Sequence, residues 1–260
     1  MTLPRETIRV KLILLALRLF LRHFAPWRQA KHRRNMSVLD VGCGTGSPAA
    51  AVTRRFEHRL VGLDIFSPVL KNAKRSRAYS DLVLADASRL PFADDSFHIV
   101  VCTEVLEHVP RDQGLRLLQE LERVSGWLVM VSCPVGKWEQ GARAGNPYQR
   151  HQYVWDLGEI RHMRFNKVRG VGLRGFSGDR WTALVNSPLR PFLRLLGLLA
   201  TVVTYRWPRL ASNVFAWKEV PGARLAPGKT PAPVHPAKAL PRSPQGRQRL
   251  RVAPDHTRLP

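Results

Sequence analysis

Three glycines on alternate positions, Gly42, Gly44 and Gly46, follow an apolar run that carries Asp40 near its end. Glycines let a chain turn sharply and lie against a ligand with no Cβ in between. A helix opening at Ser47 would add free amide groups beside them. In a phosphate site such amides hold the anion. This spacing is not the Gly-x-Gly-x-x-Gly of dinucleotide sites, however, and no Lys-Ser/Thr follows as in a P-loop. Asp64 ends the next apolar run, 22 residues after Gly42. A carboxylate there can accept both hydroxyls of a ribose. Asp86 ends a third run, where it can accept from an exocyclic adenine amine. Glu104, Glu107 and His108 close a fourth, and Tyr148 and His151 stand in the polar stretch after a fifth. His108 and His151 are the candidates for moving a proton. His151 is the preferred base, and His108 is as well suited to orienting its loop.

These residues need a sheet whose strands all end on one side. The pattern supplies one. "SVLDVG", "RLVGLDIF", "DLVLADA", "FHIVVCTEVL" and "GWLVMVSCP" read as strands. Between them, "SPAAAVTRRF", "SPVLKNAKRSRA" and "DQGLRLLQELERV" read as helices, the second with Pro68 at a favoured first position. Strands this apolar, alternating with helices, predict a parallel sheet covered on both faces. Open sheets of this kind bind ligands at the carboxyl ends of their strands. After Pro134 comes a long polar loop with aromatics, then a short helix in "DLGEIRHMRF". Strands follow in "KVRGVGLRGF" and "SNVFAWKEV", with an apolar helix at 189–207 between them.

With these motifs in view, the chain resembles the class I S-adenosylmethionine-dependent methyltransferases. The likeness is greatest to the group that modifies small molecules and lipid- or glycan-linked acceptors. "LDVGCGTG", "GLDIF", "DASRLPFADDSFHIVV" and "EVLEHV" carry the likeness in order, firmly from Met36 to Pro134 and more loosely from Asn146 to Val220. The resemblance implies an α/β, Rossmann-like, doubly wound sheet of seven strands, mostly parallel with one antiparallel edge strand. It implies S-adenosyl-L-methionine as cofactor, with the backbone of Gly42–Gly46 around its methionine moiety. It also places Asp64 on the ribose and Asp86 and Ala87 near the adenine. Asp40 and either Thr103 or Glu104 would lie near the amino-acid end.

Composition bounds the rest. The net charge of +23 is concentrated at the ends. Residues 1–35 carry nine Lys/Arg against one Glu, and residues 221–260 carry eight against one Asp. The expected organisation is a basic amphipathic N-terminal helix (1–35), a methyltransferase domain (36–220) and a disordered basic Pro/Arg-rich tail (221–260). The first helix, over 6–24, reads in three ways: packed on the domain, lying in a membrane interface, or targeting the chain. Basic ends attract polyanions, including anionic membrane surfaces and nucleic acid. Nucleic-acid base methylation is disfavoured, because "TEVLEHV" stands where amine methyltransferases carry Asn/Asp-Pro-Pro-Tyr/Phe, and Cys133-Pro134 reverses the order needed for cytosine chemistry. Cys43, Cys102 and Cys133 show neither zinc spacing nor a disulfide framework, so no metal is expected and the compartment is read as reducing. The expected function is methyl transfer to a small-molecule or lipid-linked acceptor by a cytoplasmic protein that can dock peripherally on a membrane. An RNA or protein methyltransferase gripping substrate with its basic tails is the alternative.

Overall fold

A computed structural model of the chain describes residues 36–46, 50, 59–136, 141, 145–165, 167–173, 200 and 202–220. The expected helix at 6–24, that at 47–56 apart from Ala50, most of the apolar stretch 189–207 and the basic tail from 221 lie outside the described residues.

The described elements run β1 (Ser37–Val41), β2 (Arg59–Asp64), α1 (Ser67–Arg75), β3 (Asp81–Leu84), β4 (Phe97–Thr103), α2 (Arg111–Val124), β5 (Ser125–Pro134), α3 (Leu157–His162), β6 (Lys167–Leu173) and β7 (Ala211–Glu219). The strands form one seven-stranded sheet in the order β3-β2-β1-β4-β5-β7-β6. The first five pair in parallel, and β7 runs antiparallel to both of its neighbours. This is the expected Rossmann-like α/β sheet. The reversed strand sits one place in from the edge, inserted between β5 and β6.

Alternation sorts the strand side chains onto two faces. One face gathers Leu39, Val41, Leu63, Val100 and Cys102 under the apolar stripe of α2, formed by Leu117, Leu118, Leu121 and Val124. Burying each such side chain contributes about 1.5–3 kcal/mol, so α2 is held by its stripe rather than by its polar side. The other face gathers Val38, Leu60, Ile99, Met130 and Trp217. The order of strands reverses between β1 and β4, and the carboxyl ends of these two strands open the crevice where such sheets take ligands.

Two strands are shorter than their apolar runs suggest. β4 stops at Thr103 because Glu104 has φ +55°, a left-handed conformation no strand continues through. The apolar Leu106 that follows belongs to a 3-10 turn, Leu106–His108. β3 stops at Leu84, and Asp86 instead starts a turn.

Candidate active site

The glycine loop leaves β1 and is pinned at once to the end of β2. The amides of Gly42 and Cys43 both donate to the Leu63 carbonyl, at 2.8 and 2.9 Å. All three glycines adopt positive φ, at +71°, +55° and +131°. At Gly44 and Gly46, no described atom lies within 4 Å of where a Cβ would stand. At Gly42 a Cβ would meet Val105 Cγ2 at 2.2 Å, so its absence lets the segment after β4 pack directly on the loop.

Asp64 ties this loop to α1. Its Oδ2 accepts from the Gly44 amide at 2.9 Å, and its Oδ1 accepts from the Phe66 amide at 2.9 Å. A carboxylate has lone pairs for further donors, so two ribose hydroxyls can still be accepted. Burial raises the Asp64 pKa above its ordinary 3.8, against the pull of the amides from Phe66 and Gly44. Asp86 is half-buried, and its Oδ1 accepts from the amide and hydroxyl of Ser88, both at 2.8 Å. Ala87 stands beside it, also half-buried. The exposed glycine backbone, the Asp64 carboxylate and the Asp86 turn therefore fit a nucleoside bearing an amino-acid chain.

Asp40 is placed differently. It is fully buried, and its Oδ2 accepts from the Tyr79 hydroxyl at 2.7 Å. The Tyr79 ring reaches it by crossing β2 at Gly62, where a Cβ would stand 2.8 Å from the ring. Asp40 is thus tied to Tyr79, which lies between α1 and β3. Tyr79 was not visible as a participant in the sequence, although a glycine inside the apolar run "RLVGLD" was its signal. Thr103 is buried. Glu104 is half-buried, with Oε1 accepting from Ser132 Oγ at 2.9 Å and Oε2 accepting from Asn213 Nδ2 at 3.0 Å. Its left-handed backbone is held by its own amide donating to the Ser132 carbonyl at 2.9 Å. The partners on β5 and β7 outweigh a strain on the order of 1–3 kcal/mol.

The two candidate histidines come together. The rings of His108 and His151 stand edge to face with centroids 5.0 Å apart. His108 Nδ1 lies 3.2 Å from the Arg150 carbonyl and donates to it, which leaves Nε2 as the ring's acceptor. Burial lowers the His108 pKa to about 4. A base is most effective with a pKa near the operating pH, so His108 suits an orienting role better than proton transfer at neutral pH.

Four further hydrogen bonds bind this loop to the turn after β4. The Gln152 amide donates to the Glu107 carbonyl at 2.7 Å, and the Tyr153 amide to the same oxygen at 3.3 Å. Gln152 Nε2 donates to the His108 carbonyl at 2.6 Å, and Trp155 Nε1 to the Leu106 carbonyl at 2.9 Å. Trp155 is fully buried against Gly114 of α2, where a Cβ would stand 2.4 Å from the indole. Tyr148 reaches across to the cofactor side, its ring 6.4 Å from that of Phe66. Burial pushes the Cys43, Cys102 and Cys133 thiols up, so they stay protonated at neutral pH and act as small buried hydrophobes.

Comparison with known proteins agrees with this geometry. Residues 39–130 match the family model described as a methyltransferase domain. Methyltransferase GfsG of Streptomyces halstedii is 39% identical over 105 residues, which cover 38% of each chain. Phthiotriol/phenolphthiotriol dimycocerosates methyltransferase 1 of Mycobacterium ulcerans is 30% identical over 169 residues, 60% of this chain and 57% of that one. The chain thus spans about two fifths to somewhat over half the length of these curated relatives. A solved SAM-dependent methyltransferase from Archaeoglobus fulgidus shares the fold at TM-score 0.50 and 15% identity, over 80% of this chain and 93% of that one. Residues 39–130 are thus similar to a methyltransferase domain, and the sheet has the fold of a solved SAM-dependent methyltransferase.

Proposed function

We propose that the chain transfers a methyl group from S-adenosyl-L-methionine to a small-molecule or lipid-linked acceptor. The observation that carries this reading is the tie between the glycine loop and Asp64. Backbone of left-handed conformation and a ribose-accepting carboxylate are joined by one 2.9 Å hydrogen bond at the switch point of the sheet. The cofactor supplies a methyl sulfonium, whose carbon forms a bond to the acceptor's lone pair as the carbon–sulfur bond breaks. The chain's own residues have three tasks. Gly42–Gly46 and Asp64 fix the nucleoside and amino-acid ends. The segment 104–108 and the loop 146–155 wall the acceptor side, and alignment there can be worth several orders of magnitude in rate. His151 takes the proton of a hydroxyl or amine acceptor as the new bond forms. The relative whose name specifies a phthiotriol dimycocerosate acceptor supports a small molecule over a macromolecule.

Calorimetry of the full chain with S-adenosylhomocysteine tests the reading. One site per chain, abolished by Asp64→Ala, is expected. No binding by the native chain overturns it, as does steeply salt-dependent RNA methylation with no small-molecule turnover.

We also infer that the acceptor is met at an anionic membrane surface. Supporting this, Val202, Val203, Trp207 and Leu210 are exposed beside exposed Arg206 and Arg209, a mixture suited to the interface. No helix among the described residues is long and apolar enough to cross a membrane. Sedimentation with vesicles rich in anionic lipid is expected to fall when Trp207 and Leu210 are both changed to Ser. Equal sedimentation of both proteins would sink the inference.

A further inference from the structure

We propose that Glu107, His108 and His151 form a binding site for one divalent transition-metal ion. Spacing along the chain offers no sign of it, because His151 lies far from the adjacent Glu107 and His108. Folding brings them together. One carboxylate oxygen and one nitrogen from each ring lie within 4.8 Å of one another. Glu107 Oε1 is 3.9 Å from His108 Nε2. Donors on a tetrahedral zinc at about 2.0–2.2 Å would stand roughly 3.4 Å apart. Closing from 3.9 Å needs only side-chain rotation.

The surroundings are those of a built site. Glu107 is buried, with 2% of its surface exposed. A divalent ion beside a carboxylate held that far out of water would be a favourable neighbour for it. His108 is aimed by its second ring nitrogen, which donates to the Arg150 carbonyl, so that the free lone pair on Nε2 faces Glu107. Orientation of a ligating imidazole through its other nitrogen is the usual supporting contact of metal sites. The segments carrying the ligands are fastened by the bonds from Gln152, Tyr153 and Trp155. Two imidazoles and a carboxylate suit zinc, iron, nickel or manganese over calcium.

Three protein ligands leave coordination positions for solvent or substrate. On the reading that the chain methylates an acceptor, an acceptor hydroxyl can bind there. The metal would lower its pKa and hold its oxygen in place. With the ion bound, His151 would serve as its ligand in place of acting as base, and the acceptor's proton would leave to solvent, so that the oxygen's electron pair could form the bond to carbon.

The test uses the full chain, stripped with a chelator and titrated calorimetrically with Zn²⁺ alone and with Mn²⁺ alone. One equivalent of at least one ion is expected to bind. His151→Ala should weaken that binding at least tenfold, and Glu107→Gln should do the same if it folds. If Glu107→Gln does not fold, His151→Ala decides. Loading the native chain with Co²⁺ should give visible ligand-field absorption that His151→Ala lacks. Binding of S-adenosylhomocysteine should be equal in the native chain and His151→Ala. A native chain that binds S-adenosylhomocysteine but neither ion overturns the metal site alone, and one that binds the ion but not S-adenosylhomocysteine overturns the proposed function alone. Equal metal binding by the native chain and His151→Ala also overturns the site.

Discussion

The cofactor-side loop and the acceptor-side cluster lie at the same edge of one sheet but are held by different means. Gly42–Gly46 is shaped by its own backbone, through amides donating to Leu63 and to Asp64 at the end of the adjacent strand. Glu107 and His108 are held to His151 by the loop that carries it, more than forty residues downstream, which is clamped to the 106–108 turn through carbonyls and an indole. The first arrangement can form from two neighbouring strands. The second needs α2, β5 and the loop beyond it to be in place. A change in one region should therefore leave the other nearly intact, and that independence can be tested.

Asp64→Ala should have the largest effect. It removes an acceptor for two ribose hydroxyls and the anchor of Gly44. Hydrogen bonds to charged groups are worth about 1.5–3 kcal/mol each, so S-adenosylhomocysteine affinity should fall at least a hundredfold in calorimetry. Metal uptake should not change, and a parallel loss would show that the two regions act as one unit. In the native chain the same affinity should weaken on acidification, because protonation removes acceptor capacity. Burial raises this carboxyl's pKa, so the decline should begin at a higher pH than for an ordinary aspartate. Asp64→Asn should lack that acid-side decline.

Tyr79→Phe comes next. It removes the donor to the buried Asp40 Oδ2. The loss should be about 2 kcal/mol of stability by denaturant unfolding, with some weakening of cofactor binding and none of metal uptake. On the other side, Gly114→Ala drives a methyl into Trp155. Overpacking of this kind costs about 1–3 kcal/mol, offset by up to about 1 kcal/mol of helix propensity. The net fall in melting temperature should come with weaker metal uptake and unchanged S-adenosylhomocysteine binding. The smallest effect belongs to Trp155→Phe, which keeps much of the ring but loses the donor to the Leu106 carbonyl, at about 1 kcal/mol. If either acceptor-side change weakens cofactor binding as much as metal uptake, the two regions are one unit.

The same difference decides what could be read from the sequence. Glycine spacing and a strand-terminal aspartate act within a few residues of themselves, so the parallel strands and the loop around Asp64 were legible in residue type and period, while the seven-stranded sheet with its reversed strand followed only from the family resemblance. Asp40 was legible as a strand-end carboxylate, but its burial under Tyr79 was not, because a ring crossing a glycine leaves no periodic trace. "EVL" read on as strand because its apolar residues continue the run. Only the left-handed Glu104 and its partners Ser132 and Asn213 end β4, and those partners are far away in the chain. His108 and His151 were each visible as histidines in loops. Their meeting with Glu107 depends on backbone bonds from Gln152 and Tyr153, which no side-chain type announces.

The insertion of β7 between β5 and β6 has a consequence in time. Asn213, on that strand, reaches Glu104 across 109 residues of chain. During synthesis the glycine loop can meet Asp64 as soon as β2 has emerged, whereas the crevice beside β4 waits for one of its last supports. Long-range pairings close slowly because their entropy is lost before their contacts form. The glycine loop can thus take its shape in the growing chain well before the crevice beside β4 is complete.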